Sequence, residues 1–278
     1  MTLSQVLLSL PSPPSPVVFE VGPFALSYYG LCIVLGIVVG TWLTGWELTR
    51  RDHDGYALAL ESLFFVVPLG LIGARLYYVV AEYDLYANNP FPAVMEIWVG
   101  GLEIYGALAG GFFGALLFGW YRRINTLVFA DAAAVGLVLG QAIGRLGDYF
   151  NLELFGLPSN LPWAIRISSE NRPAGFTDAT SFHPTFLYEA LWDVLVCLVL
   201  LWVARRFTNL LKNGDVFLLY VSLYSVGHFL IQTLRLDPAS FLIAGSIRGN
   251  LFVSGVLALG CVMILLLRHS RAPRKRPE

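Results

Sequence analysis

The sequence predicts an all-α integral membrane protein with seven transmembrane helices. It places the N-terminus outside, the C-terminus in the cytoplasm, and a small extracytoplasmic cap between spans four and five. Three observations carry that prediction. The first is composition: of 278 residues, 56% are hydrophobic and only 13% are charged, where a soluble domain carries about 25% charged residues. Mean hydropathy is +0.66. The second is that seven stretches approach the roughly 20 apolar residues needed to cross a bilayer. The third is that basic residues are dense in every second connection.

The leading segment, "MTLSQVLLSLPSPPSP", lacks the basic start of a signal peptide, and its apolar part ends in prolines. It reads as a short irregular or interfacial lead, with a cleaved signal as the alternative. The spans follow at 25–46, 57–80, 101–121, 128–149, 185–204, 215–234 and 249–267. Arg50 and Arg51 follow span one, Arg122 and Arg123 span three, and Arg205, Arg206 and Lys212 span five. Arg268, Arg271, Arg274, Lys275 and Arg276 lie in the tail. The opposite side holds only Arg166, Arg172, Arg235 and Arg248. This bias puts the tail in the cytoplasm, and an odd number of crossings puts the N-terminus outside.

Spans three and four carry glycines every fourth residue, at Gly106, Gly110 and Gly114 and at Gly136, Gly140 and Gly144. Small residues at that spacing let helices approach closely, so spans three and four are expected to form a tight pair. Residues 150–184 form the cap, with "WAIRI" as a possible short strand. The whole chain is read as a single polytopic membrane domain. Its net charge of -1 gives no nucleic-acid footprint. Cys32, Cys197 and Cys261 show no metal or redox spacing. No HExxH, Cys/His cluster or P-loop is present, so no metal and no cofactor are expected.

Charged groups within membrane spans are costly and mark function. In the inferred orientation they gather at the outer ends of the spans. Tyr28 and Tyr29 open span one, and Arg75 is near the end of span two. Glu103 and Tyr105 open span three; Gln141, Arg145 and Asp148 line the end of span four. His183, Tyr188 and Glu189 open span five, Arg235 closes span six, and Arg248 precedes span seven. Blander readings stay open for each. Arg75 can snorkel to the interface, Arg145 can pair only with Asp148 three residues on, Tyr28 and Tyr29 can be belt residues, and Thr185 can merely cap span five. Glu61 reads as a structural hydrogen-bonding group. Taken together, several arginines at an outer-leaflet chamber call for an anion, and phospholipid phosphate is the anion at that depth.

The motifs resemble those of the prolipoprotein diacylglyceryl transferase family. "GRLGDYFNLELFG" (144–156) is similar to that family's signature, Gly-Arg-x-Gly-Asn-x-x-Asn-x-Glu-x-x-Gly. "GGLEIYGALAGG" resembles its third-span motif, "HPTFLYEA" its fifth-span motif, and "LIQTLRLD" the segment bearing its second important arginine. The likeness begins at "GPFALSYYGL" and covers essentially the whole chain. It implies an enzyme of the bacterial cytoplasmic membrane, with its active site facing the outer leaflet. Such an enzyme moves the diacylglyceryl group of phosphatidylglycerol to the lipobox cysteine of a preprolipoprotein, and glycerol phosphate leaves. The implied partners are phosphatidylglycerol, the lipobox region and membrane lipids. By motif match, Arg145 and Arg235 would stabilise phosphate charge, with Tyr105 as a third catalytic group. Tyr29, Arg75, Gln141, Asp148, Asn151, Glu153, His183, Tyr188 and Glu189 would contact substrate. Two positions depart from the pattern. Asp148 stands where the signature has asparagine, and Tyr105 where many members have a histidine proposed as general base. An ionised aspartate only accepts hydrogen bonds, and a phenol of pKa about 10 is a poor base. A divergent paralogue that binds phospholipid or precursor without catalysis is therefore the alternative, with a transporter a third.

Overall fold

A computed structural model describes residues 10–13, 15–21, 24–51, 54–83, 101, 103–236, 242–243 and 247–270. For residues 21, 24, 104–105, 242–243 and 247–248 it describes the backbone alone. The basic tail residues Arg271, Arg274, Lys275 and Arg276 lie outside the described residues, as does the side chain of Arg248.

Among the described residues seven long helices appear where the sequence puts apolar runs: α1 (Tyr28–Thr49), α2 (Gly55–Ala81), α3 (Ile104–Arg122), α4 (Thr126–Asn151), α5 (Thr185–Arg206), α6 (Asp215–Gln232) and α7 (Gly249–Ser270). A helix satisfies its own backbone polar groups, which a hydrocarbon environment demands. Among the described residues six of these, all but α3, are long and apolar enough to cross a membrane. Large apolar side chains stand on their outer surfaces, with Phe64 80% and Leu259 75% exposed. Water would not tolerate so many; lipid does.

Packing divides the chain into two compact units, residues 41–133 and the flanking segments 1–40 and 134–278. In the first, α3 lies against α2. A Cβ on Gly106 would sit 2.2 Å from the Gly73 carbonyl oxygen, and one on Gly110 would sit 2.0 Å from that of Leu69. Only glycine permits such an approach. In the second unit, Gly140 meets Gly36 of α1 and Gly136 meets Gly40, with Cβ positions 2.7–2.8 Å from facing carbonyl oxygens. The expectation that the two glycine stripes pair with each other is therefore corrected: the close partner of α3 is α2, and that of α4 is α1. The spacing marks a face that another backbone can approach but does not name the partner.

Ion pairs fasten the helix ends of the first unit. Arg51 reaches Asp131 at 3.5 Å, and Arg122 reaches Glu61 at 3.3 Å. This gives Glu61 the structural role expected of it. In the second unit, buried Asp215 at the start of α6 accepts from the Lys212 backbone N–H and lies 2.7 Å from His269 Nε2 and 3.2 Å from Arg268 Nε at the end of α7.

Among the described residues there are also three short antiparallel strand pairs, of which the sequence reading contained only one strand, in "WAIRI". They pair β1 (Val17–Val21) with β2 (Phe24–Ser27), β3 (Ile165–Arg166) with β4 (Ser181–Phe182), and β5 (Leu242–Ile243) with β6 (Ile247–Arg248). The first places α1 three residues later than the predicted span. The second confirms the strand in "WAIRI". Leu10 runs beside Ile165, and Ile165, Ile167, Phe182 and Phe186 form a small buried core under the segment between α4 and α5. Thr185 is not a helix cap: its hydroxyl donates to the Leu154 carbonyl, and Pro184 holds the N-cap position.

Candidate active site

The second unit brings the end of α4, the start of α5 and the end of α6 together around one carboxylate. Glu189 is 4% exposed. Its Oε2 lies 2.7 Å from Arg145 Nε, and its Oε1 lies 3.1 Å from Arg235 Nη1. Arg145 also stands 3.6 Å from Asp148 Oδ2 and donates to the Tyr224 hydroxyl at 3.4 Å. Two guanidiniums thus face two carboxylates, all largely shielded. Separating such ions from water is costly, and removing one partner strands the others. The bland reading in which Arg145 pairs only with Asp148 is set aside, because its shorter contact is to Glu189 on another helix.

The chain after α4 explains how Arg235 is held. Leu152 and Leu154 adopt positive φ values of 53° and 54° and reverse the chain. Gly156 N–H then donates to the His183 carbonyl, and Leu157 N–H to the Leu234 carbonyl, each at 2.8 Å. One short segment thereby ties the entry of α5 to the exit of α6. A Cβ on Gly156 would lie 2.5 Å from the Leu234 oxygen. The last glycine of "GRLGDYFNLELFG" is therefore required by close backbone approach. Gly147 plays the same part toward α1, where a Cβ would lie 2.9 Å from Tyr29 Cδ2.

The other expected residues distribute as follows. Gln141 Oε1 accepts from the Tyr220 hydroxyl at 2.9 Å. Tyr188 accepts from Trp163 Nε1 at 3.0 Å and lies 3.1 Å from His183 Nδ1, forming a second polar group apart from the arginines. Asn151 ends α4 half-buried, and Glu153 is exposed just beyond it. Arg75 belongs to the other unit, where it is 2% exposed, donates to the Gly101 carbonyl at 3.1 Å and covers the Tyr78 ring. This is not a snorkelling arginine. Tyr105 sits in the first turn of α3, and its side chain lies outside the described residues.

Sequence reasoning missed Tyr220, Tyr224, His228 and Gln232. They recur every fourth residue along α6, which places them on one face. Tyr224 and His228 stack with ring centroids 6.0 Å apart, and His228 Nδ1 lies 3.8 Å from Glu189 Oε1. Asp193, one turn after Glu189 on α5, was missed too; it is 1% exposed. The spacing of polar groups inside apolar runs was the available signal. Among the described residues no group of three histidine, cysteine or acidic side chains is arranged to hold a metal ion.

Comparisons with known proteins identify the family. The family model described as prolipoprotein diacylglyceryl transferase matches residues 16–267. A phosphatidylglycerol–prolipoprotein diacylglyceryl transferase of Frankia alni is 43% identical over 264 residues, 94% of this chain and 68% of its own length. A second of the same name from Streptomyces coelicolor is 42% identical, over 96% of this chain and 83% of its own. One from Gloeobacter violaceus is 40% identical over 95% of this chain and 97% of its own. With a family match along nearly its whole length and relatives this similar, the chain belongs to the prolipoprotein diacylglyceryl transferase family.

Proposed function

We propose that this enzyme transfers the sn-1,2-diacylglyceryl group of phosphatidylglycerol to the lipobox cysteine thiol of a preprolipoprotein. The cysteine sulfur attacks the glyceryl carbon that carries the phosphate. The S–C bond forms as the C–O bond breaks, and the electron pair departs with glycerol phosphate. Negative charge grows on the leaving phosphate, so fixed cations lower the barrier. The observation that carries the reading is Glu189 holding Arg145 and Arg235 from separate segments at 2.7 and 3.1 Å. Guanidinium suits phosphate because it presents planar paired donors and stays charged.

In this reading Arg145 and Arg235 bind the leaving phosphate, and Glu189 sets their positions. Gln141, Asp148, Asn151, Glu153, His183, Tyr188 and Tyr29 border the substrate. Arg75 and Tyr105 keep the roles the resemblance implies. The protein crosses the bacterial cytoplasmic membrane seven times with its tail inside. The segment between α4 and α5 then caps the outer face, where the phosphatidylglycerol of the outer leaflet meets the translocated precursor.

The test is lipidation of a lipobox peptide by purified protein in phosphatidylglycerol micelles. Arg145→Ala is expected to lower kcat by about 10²–10³-fold, the cost of one well-placed charge-stabilising donor. Wild-type turnover in a folded Arg145→Ala variant would refute the assignment.

A further inference from the structure

The segment between α4 and α5 carries a second cationic feature, apart from the Glu189 cluster. In the pairing of β3 with β4, Arg166 stands opposite Ser181 and Ile165 opposite Phe182. Ile165, Ile167 and Phe182 enter the small buried core. Side chains alternate along a strand, and directly opposed residues share a face. Arg166 and Ser181 therefore stand together on the other face. Their main chains are engaged. Arg166 N–H donates to the Leu10 carbonyl at 2.9 Å, and its carbonyl accepts from Ser12 Oγ at 2.6 Å. The Ser181 carbonyl accepts from Ser159 N–H at 3.0 Å. Their side chains are not engaged. Arg166 Nε and Nη2 and Ser181 Oγ are buried atoms that find no hydrogen-bond partner among the described residues. Ser181 is 5% exposed, and Arg166 is half-buried. Arg172 of the same segment differs: its Nε and Nη1 donate to the Ile167 and Thr177 carbonyls.

Nε and Nη2 make up one edge of the guanidinium, the fork that holds two oxygens of an oxyanion side by side. The hydroxyl of the cross-strand neighbour adds a third donor. Three donors match the three terminal oxygens of a phosphate monoester. A carboxylate and a phosphate diester each offer only two such oxygens. Buried donors are normally paired, so a charged fork beside a buried hydroxyl is suited to an acceptor from outside the chain. The position is distinct from the arginine cluster. Pro158 bridges to Phe182 of β4, and Gly156 bridges to Arg235. Three strand spacings thus put Arg166 roughly 14 Å from the Arg235 main chain, beyond the reach of one phosphate group.

We propose that Arg166 and Ser181 form a second phosphate site, which takes a phosphate monoester. Two ester oxygens lie on the Arg166 fork and the third accepts from Ser181 Oγ. Arg166 is only half-buried, so rotation of its long side chain turns the fork outward to receive the ligand. Glycerol phosphate, the product of the transferase reading above, is a monoester of this class. The proposal rests on that reading for the identity of the ester, and makes the cap a station on the product's way out.

The experiment measures binding of labelled inorganic phosphate to the full chain by equilibrium dialysis, in uncharged detergent free of phospholipid. Wild type is expected to bind a phosphate that is lost in Arg166→Met and kept in Arg145→Ala. Arg166→Lys should bind it about tenfold or more weakly, because an ammonium has no fork. Unlabelled glycerol phosphate should displace the label. No binding by wild type, equal binding by Arg166→Met, or loss in Arg145→Ala would overturn the proposal. So would displacement by phosphatidylglycerol or by an acidic peptide but not by glycerol phosphate. If Arg166→Met does not fold, Ser181→Ala serves instead: affinity about threefold or more below wild type supports the site, and unchanged affinity overturns it. The assay involves no turnover. Protein that binds this phosphate yet fails to lipidate a lipobox peptide would remove the transferase reading and leave the phosphate site standing.

Discussion

Changing Glu189 to glutamine probes the centre of the site with little change of shape. The native carboxylate bridges Arg145 at 2.7 Å and Arg235 at 3.1 Å while only 4% exposed. The gross attraction of each pair is about 4 kcal/mol or more at an effective dielectric of 20. Carboxylate desolvation offsets much of this, and breaking a buried pair by removing one partner costs about 3–5 kcal/mol net. Glutamine keeps one acceptor oxygen, and a hydrogen bond to a charged group retains about 1.5–3 kcal/mol. The expected loss is therefore about 1.5–2 kcal/mol, a fall of roughly 3–8 °C in the melting transition for a chain of this size. The arginines lose their common anchor, and misplacement of about 1 Å is enough to cost about 10²-fold in rate. Thermal melting in detergent and the lipidation assay read the two effects. Glu189→Asp should be as impaired in rate, because a side chain one methylene shorter cannot span both partners. A Glu189→Gln protein with unchanged melting and unchanged turnover would show that the bridge neither holds nor positions the arginines.

Three further substitutions test other parts of the reading. Asp148→Asn removes a carboxylate 3.6 Å from Arg145; KM for phosphatidylglycerol should fall about 3–10-fold, equivalent to about 0.7–1.4 kcal/mol of binding, and an unchanged or higher KM would mean that Asp148 does not offset the phosphate site. Gly110→Val puts a Cβ where the Leu69 carbonyl oxygen is 2.0 Å away, so α2 and α3 must separate at a cost of about 1–3 kcal/mol or more; Gly260→Ala in α7 has open space around it and should melt at or above wild type. Equal melting of the two variants would refute the close-packing account.

The apolar runs gave the helix positions to within a few residues, because the length of a membrane span and the self-pairing of its backbone leave little freedom. Arg145, Glu189 and Arg235 were legible as candidate site residues, because a charge in an apolar run needs a reason. The hairpin of β1 and β2 was not legible: a few alternating residues before a long apolar run carry no distinguishable period. The stripe of Tyr220, Tyr224, His228 and Gln232 was legible in principle but was masked by the amphipathic aromatics, which also occur at membrane interfaces. A pairing of Arg145 with Asp148 alone stayed open, because the two are three residues apart on the same helix.

Which groups face each other was decided only by the tertiary structure. Glycine spacing specifies a face that admits a close backbone, but α1 and α2, rather than each other, occupy the glycine faces of α4 and α3. Sequence likewise marked two arginines as the cations of the site. That a single buried carboxylate from α5 gathers both of them, with a histidine of α6 at its side, depends on contacts between residues 44 and 46 positions apart. Local periodicity carries no information about such partners; the packing of the helices does.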